Sequence, residues 1–118
     1  MSEDTESVAL DEARREIAGG EATVVDVRSE EEWSEGHVPG AIHLPDGDPE
    51  AGTKPLDKEA RLLVIAKDGK LAVRAASKLA EQGYNAAAVE GGMDDWISEN
   101  FNIQPTVDPD EETELGLN

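Results

Sequence analysis

The chain contains no cysteine. That excludes disulfides, thiolate metal sites and every form of thiol nucleophile. It also lacks a long apolar stretch: the longest unbroken run, Leu62 to Ala66, is far too short to span a membrane. The first residues, Met1-Ser2-Glu3-Asp4-Thr5-Glu6, are acidic where a secretory signal would be basic, so a cytoplasmic protein is expected. Basic residues are scarce as well. Ten Lys and Arg stand against 28 Asp and Glu, a net charge of −18 and a pI near 4.2. Such a surface repels nucleic acid, and its self-repulsion opposes compaction unless salt screens it, within ~3 Å at molar concentration. A halophilic cytoplasm is the economical expectation.

What is present fits one domain, since 118 residues can bury a single core. Residues 1–6 read as an acidic tail, with order expected to begin near Val8; 7–101 read as the domain and 102–118 as an acidic, solvated C-terminal tail. Leu10, Ala13, Ile17 and Ala18 recur at helical spacing before Gly19-Gly20. Thr23-Val24-Val25-Asp26-Val27 is β-branched and nearly all apolar, as a strand buried on both faces of a parallel sheet should be. Asp26 interrupts it, and a carboxylate there must be hydrogen-bonded or paired; an anchoring role is expected. Ser29 followed by Glu30, Glu31 and Glu32 predicts a short helix ending at Gly36, with Trp33 covering the sheet and Arg28 pairing with Glu32. A turn from His37 to Ala41 leads to an edge strand, Ile42 to Pro45, and then to a loop from Asp46 to Asp57.

The centre of the chain is Leu62 to Ala76: an apolar strand, a short polar loop and a helix whose buried stripe runs through Leu71, Ala72, Ala75, Ala76, Leu79 and Ala80. Ala86 to Val89 predicts a last strand and Met93, Trp96 and Ile97 a terminal helix. In open α/β sheets, sites form where a strand's carboxyl end meets a helix N-terminus. Ala66 stands there with no reactive group. Seven of the ten basic residues fall between 54 and 78, a segment of charge +4 in a remainder of −22.

Asp26-Val27-Arg28, Glu32-Trp33 and Gly36-His37-Val38-Pro39-Gly40-Ala41-Ile42-His43-Leu44-Pro45 resemble the N-terminal signature of rhodanese-like domains, and Gly91-Gly92-Met93-Asp94-Asp95-Trp96 resembles the family's closing motif. The resemblance spans about residues 7 to 100. It implies a single α/β domain, a central parallel sheet flanked by helices, and a site on the loop Ala66, Lys67, Asp68, Gly69, Lys70, Leu71, Ala72, supported by Asp26, Arg28, Glu32 and His37. Family enzymes carry sulfane sulfur as a cysteine persulfide within loop amides. Here Ala66 stands at the cysteine position, Leu71 where arginine is common and Ala72 where serine is common.

Other chemistries find little support. Ser29, Ser34, Ser77 and Ser98 have no evident base, and His37 and His43 lie in a turn that suggests structural roles. No metal-ligand spacing stands out, and no cofactor is expected. Asp26 lacks the acidic neighbours of a magnesium-dependent phosphoacceptor. The expected protein is a monomeric, non-catalytic binding or regulatory module, with a small anion or an unknown protein as partner and neither nucleic acid nor membrane involved. One alternative is a domain that assists transfer from a partner's persulfide; another is a plain scaffold.

Overall fold

The computed structural model describes residues 5–48, 56–99, 101 and 103. The tails expected over 1–6 and 102–118 lie outside the described residues except for Thr5, Glu6 and Ile103, as does 49–55 of the expected loop. The elements in order are β1 (Glu6–Val8), α1 (Leu10–Ala18), β2 (Thr23–Asp26), α2 (Glu30–Glu35), β3 (Ile42–His43), a 3-10 turn (Pro45–Gly47), β4 (Arg61–Ile65), α3 (Gly69–Glu81), β5 (Asn85–Val89) and α4 (Gly92–Ser98). They form a single α/β domain whose strands lie in the order β1-β5-β4-β2-β3, every pair parallel.

β4 is central, and its composition explains why. Leu62, Leu63, Val64 and Ile65 are all buried, as a strand covered on both faces requires. Successive side chains alternate between two cores. Leu63 and Ile65 join Val24, Ala87, Val89, Ala13 of α1, and Met93 and Trp96 of α4. Leu62, Val64 and Ala66 join Val25, Ala88 and the Ala72, Ala75, Ala76 and Leu79 stripe of α3. The helices therefore flank the sheet on both sides, and all strands point their carboxyl ends toward one edge.

Several local expectations are corrected. Leu71 and Ala80, expected in the buried stripe of α3, are exposed, because they fall at the margins of the helix face that Ala72, Ala75, Ala76 and Leu79 turn to the sheet. Order begins before Val8: Glu6 and Ser7 pair with Ala87 and Ala88 of β5, and Glu6 is further held by Arg61. Trp33 meets the sheet at His43 of β3, ring centroids 4.7 Å apart, and stacks on His37 at 3.5 Å and 2°. Arg28 pairs with Asp26, while Glu32 closes a capping box with Ser29. The stretch read as loop from Asp46 opens with the 3-10 turn. Among the described residues no helix is long and apolar enough to cross a membrane.

Candidate functional site

β2 delivers Asp26 to the carboxyl edge of the sheet with no solvent exposure. A buried carboxylate requires strong partners, and Arg28, two residues on, supplies them. Arg28 N donates to Oδ1 at 2.9 Å, its Nε to Oδ1 at 3.0 Å and Oδ2 at 3.1 Å, and its Nη2 to Oδ2 at 2.8 Å. The same Nη2 donates to the Gly36 carbonyl at 2.6 Å, closing the α2 excursion on itself. Ser29 Oγ accepts from Glu32 N at 3.2 Å, and Glu32 Oε1 accepts from Ser29 N at 3.3 Å. His37 is buried and its Nδ1 donates to Trp33 O at 3.0 Å; His43 Nε2 donates to Arg28 O at 2.9 Å. Asp26 and both histidines thus anchor the main chain around them, each histidine through one ring nitrogen.

β4 ends at the loop 66–72, which is held by its main chain. Ala66 O accepts from Met93 N at 2.8 Å and Lys67 O from Asp94 N at 3.2 Å, so the start of α4 suspends the loop. Gly92 makes this approach possible: a Cβ there would lie 2.6 Å from Asp68 Cα and from Lys67 O, at a φ of +63°. Asp68 caps α3, its Oδ1 accepting from Leu71 N at 3.0 Å, and its carbonyl accepts from Ala72 N at 3.2 Å. Two of the loop's amides are therefore satisfied by the loop's own residue.

Between the two strand ends lies a cleft of about 320 Å³. Its wall combines Val27, Ala66, Leu71 and Ala75 with Arg28, Ser29, Glu32, Asp46, Lys67, Arg74 and Lys78. Ala66 sits on this wall at 2% exposure, and Leu71 is 42% exposed at its edge. The seven loop positions do not all face the cleft. Ala66, Lys67 and Leu71 line it; Asp68, Gly69 and Lys70 line a separate depression beside Glu90 and Gly91; Ala72 is buried on the inner face of α3. Arg28 and Glu32 reach the cleft, whereas Asp26 and His37 support it from behind. Lys78, Asp46 and Ser29 are cleft residues beyond the loop and its expected supports. Helical spacing carries a signal for Lys78, because Leu71, Arg74, Ala75 and Lys78 share one face of α3; Asp46 arrives only through the tertiary placement of its turn.

Chemically, a methyl group at Ala66 cannot form a persulfide, while the cations around it can hold a negatively charged group. Among the described residues no three His, Cys, Asp or Glu side chains are grouped to hold a metal ion. At the opposite edge of the sheet, Arg61 Nε donates to Glu16 Oε1 at 2.6 Å, and Arg61 Nη1 to Glu6 Oε1 at 3.1 Å. The hydrogen bond from Arg61 holds the Glu16 carboxyl below the usual carboxylate range, and the same bond raises Arg61.

The family model for the rhodanese-like domain matches residues 9–99. YtwF of Bacillus subtilis strain 168, provisionally named a sulfurtransferase, is 37% identical over 82 residues, 70% of this chain and 80% of that protein. YrkF of the same organism, provisionally named a sulfur carrier protein, is 29% identical over 91 residues, 75% of this chain and 49% of that longer protein. The crystal structure of a rhodanese-related protein from Thermoplasma volcanium superposes with a TM-score of 0.74 at 27% identity, covering 84% of this chain and 97% of that one.

Proposed function

Because the chain belongs to the rhodanese-like domain family and carries Ala66 where the resemblance places a cysteine, we propose that it is a catalytically silent member, a binding or regulatory module of sulfur metabolism. One observation carries this reading: the buried wall position next to the cleft's cations is a methyl group, in a chain with no thiol anywhere. The binding surface is the loop 66–72, with Lys67 and Leu71 turned to the cleft and Asp26, Arg28, Glu32 and His37 supporting it, all within a unit spanning 7–101 plus Glu6 of β1. Its ligand is a small anion or an anionic group of a protein partner. The test is thiocyanate release from thiosulfate and cyanide in molar KCl; the expected rate equals the protein-free blank, and catalytic turnover overturns the reading.

The charge of −18 supports a salt-rich cytoplasm as the working environment. Circular dichroism should show loss of structure in dilute buffer and its return in molar KCl; a signal indifferent to salt rejects the assignment.

A second reading is favoured by the cleft remaining open beside Ala66: a partner's persulfide enters it and is held by Lys67, Arg74 and Lys78. The sulfur-carrier name of YrkF makes this worth testing. Co-purification with a thiol-bearing protein, lost on alkylation of that thiol, would distinguish it from the first.

A further inference from the structure

The cleft beside Ala66 carries unpaired charge of both signs. Lys67, Arg74 and Lys78 line it, and so does Asp46, yet among the described residues none of these four side chains takes part in an ion pair or a hydrogen bond, the bonds to Lys67 and Lys78 being to their main-chain carbonyls. The two other charged groups on the wall are already engaged: Arg28 is neutralised by Asp26, and Glu32 is held by Ser29. Asp46 reaches the wall by an unusual route. It is the one described non-glycine residue with a positive φ, +59°, and Gly47 beside it packs the turn against α3, where a Cβ would stand 3.5 Å from Ala75 Cβ. Ala75 lies on the helix face that presents Arg74 and Lys78. The turn therefore places an unpaired carboxylate on the same cleft wall as three unpaired cations, with no ion pair among them within 4 Å.

A purely anionic ligand would gain from the three cations and be repelled by Asp46, and a purely cationic one would meet the reverse with worse odds. A molecule that carries both signs satisfies the whole wall. We infer that the cleft takes a small zwitterion, an amino acid or an amino sulfonate in chemical class, its anionic end on Lys67, Arg74 and Lys78 and its ammonium on Asp46. This rests on the binding reading above and names the ligand class for the same site; Asp46 becomes the residue that selects it. The volume, about 320 Å³, lies at the small end of ligand sites, as a compact metabolite requires.

The experiment compares two probes of similar shape, taurine and ethanesulfonate, which share a sulfonate and differ in the ammonium. Amide spectra of the full chain are titrated at the lowest KCl concentration that keeps the circular-dichroism signal complete. Both probes should shift Lys67 and Arg74, and taurine should in addition shift Asp46 and Gly47. Taurine should bind roughly two- to fivefold more tightly, the range of an exposed charge pair. Asp46→Asn should abolish that preference and leave ethanesulfonate binding at least as strong. Equal binding of the two probes to the unaltered protein, or a preference that survives Asp46→Asn, overturns the zwitterion inference while leaving anion binding intact. If neither probe shifts any cleft amide, both readings fall.

Discussion

The two strand ends that frame the cleft are built by different means. At the end of β2 the structure is carried by side chains: Asp26 grips Arg28, Arg28 reaches the Gly36 carbonyl, and Trp33 lies on two histidines that are each tied to a carbonyl. At the end of β4 it is carried by the main chain, through two carbonyls hung from the start of α4 and a glycine that lets the segments touch. Replacing a side chain therefore damages the first region more than the second, where the Asp68 cap on Leu71 N is the side-chain hold described. The positions that the resemblance assigns to the family's chemistry belong to the second, so under that proposal Ala66, Leu71 and Ala72 can stand there with the sheet unchanged.

Several variants can break or sharpen this contrast. Arg28→Ala should have the largest effect, about 3–5 kcal/mol in urea unfolding at fixed KCl, because it strips the buried Asp26 charge of its guanidinium and leaves it the main-chain N–H of residue 28. Gly92→Ala should follow at about 2–4 kcal/mol, since an added Cβ meets backbone atoms at 2.6 Å on a residue of positive φ; a neutral result would show that the main-chain suspension of the loop is loose. Glu16→Gln, far from both ends, should cost about 1–2 kcal/mol at neutral pH. Its pH dependence has a definite sign. Because the Glu16 pKa is lowered in the folded protein, the stability it adds is complete above the unfolded value, ~4.3, and is lost as pH falls through the lowered one. The gap between the two proteins should thus be full at pH 7 and close in acid.

Ala66→Cys should change stability by less than about 1 kcal/mol, as expected of a side chain held by its backbone neighbours. It should give at most trace thiocyanate release. Adding Leu71→Arg should raise that release at least about tenfold, because a nearby guanidinium favours the thiolate and holds the incoming anion. A single variant as fast as the double would show that Lys67 and Arg74 suffice. The smallest effect belongs to Lys67→Ala, within about 0.5 kcal/mol of the parent, since the exposed side chain is removed while the main-chain carbonyl that accepts from Asp94 N stays in place.

The elements with dense local signals were readable from the chain alone. The apolar run of β4, the Ala72, Ala75, Ala76 and Leu79 part of the α3 stripe and the Ser29 cap each dictate their structure within a few residues, whereas Leu71 and Ala80 at the stripe's margins are exposed; Asp26 announced a buried anchor by being polar in an apolar strand. The unread features depend on distant partners. β1 has three residues, two of them exposed, and owes its order to β5 and to Arg61, 55 positions away from Glu6. The pairing of Arg28 was misassigned because helical spacing favours Glu32, whereas burial makes the bidentate grip on Asp26 stronger. The loop 66–72 was legible as a unit, but a helix start turns successive residues to different sides, so only part of it reaches the cleft.

The hydrogen bonds from Met93 and Asp94 to Ala66 and Lys67 span 27 residues of chain. During synthesis the ribosome must release everything through Asp94 before those carbonyls find their donors, so the sheet can assemble first and the loop 66–72 is fixed last. A nascent chain stalled short of that point would carry the central strand and its helix with the site still unformed.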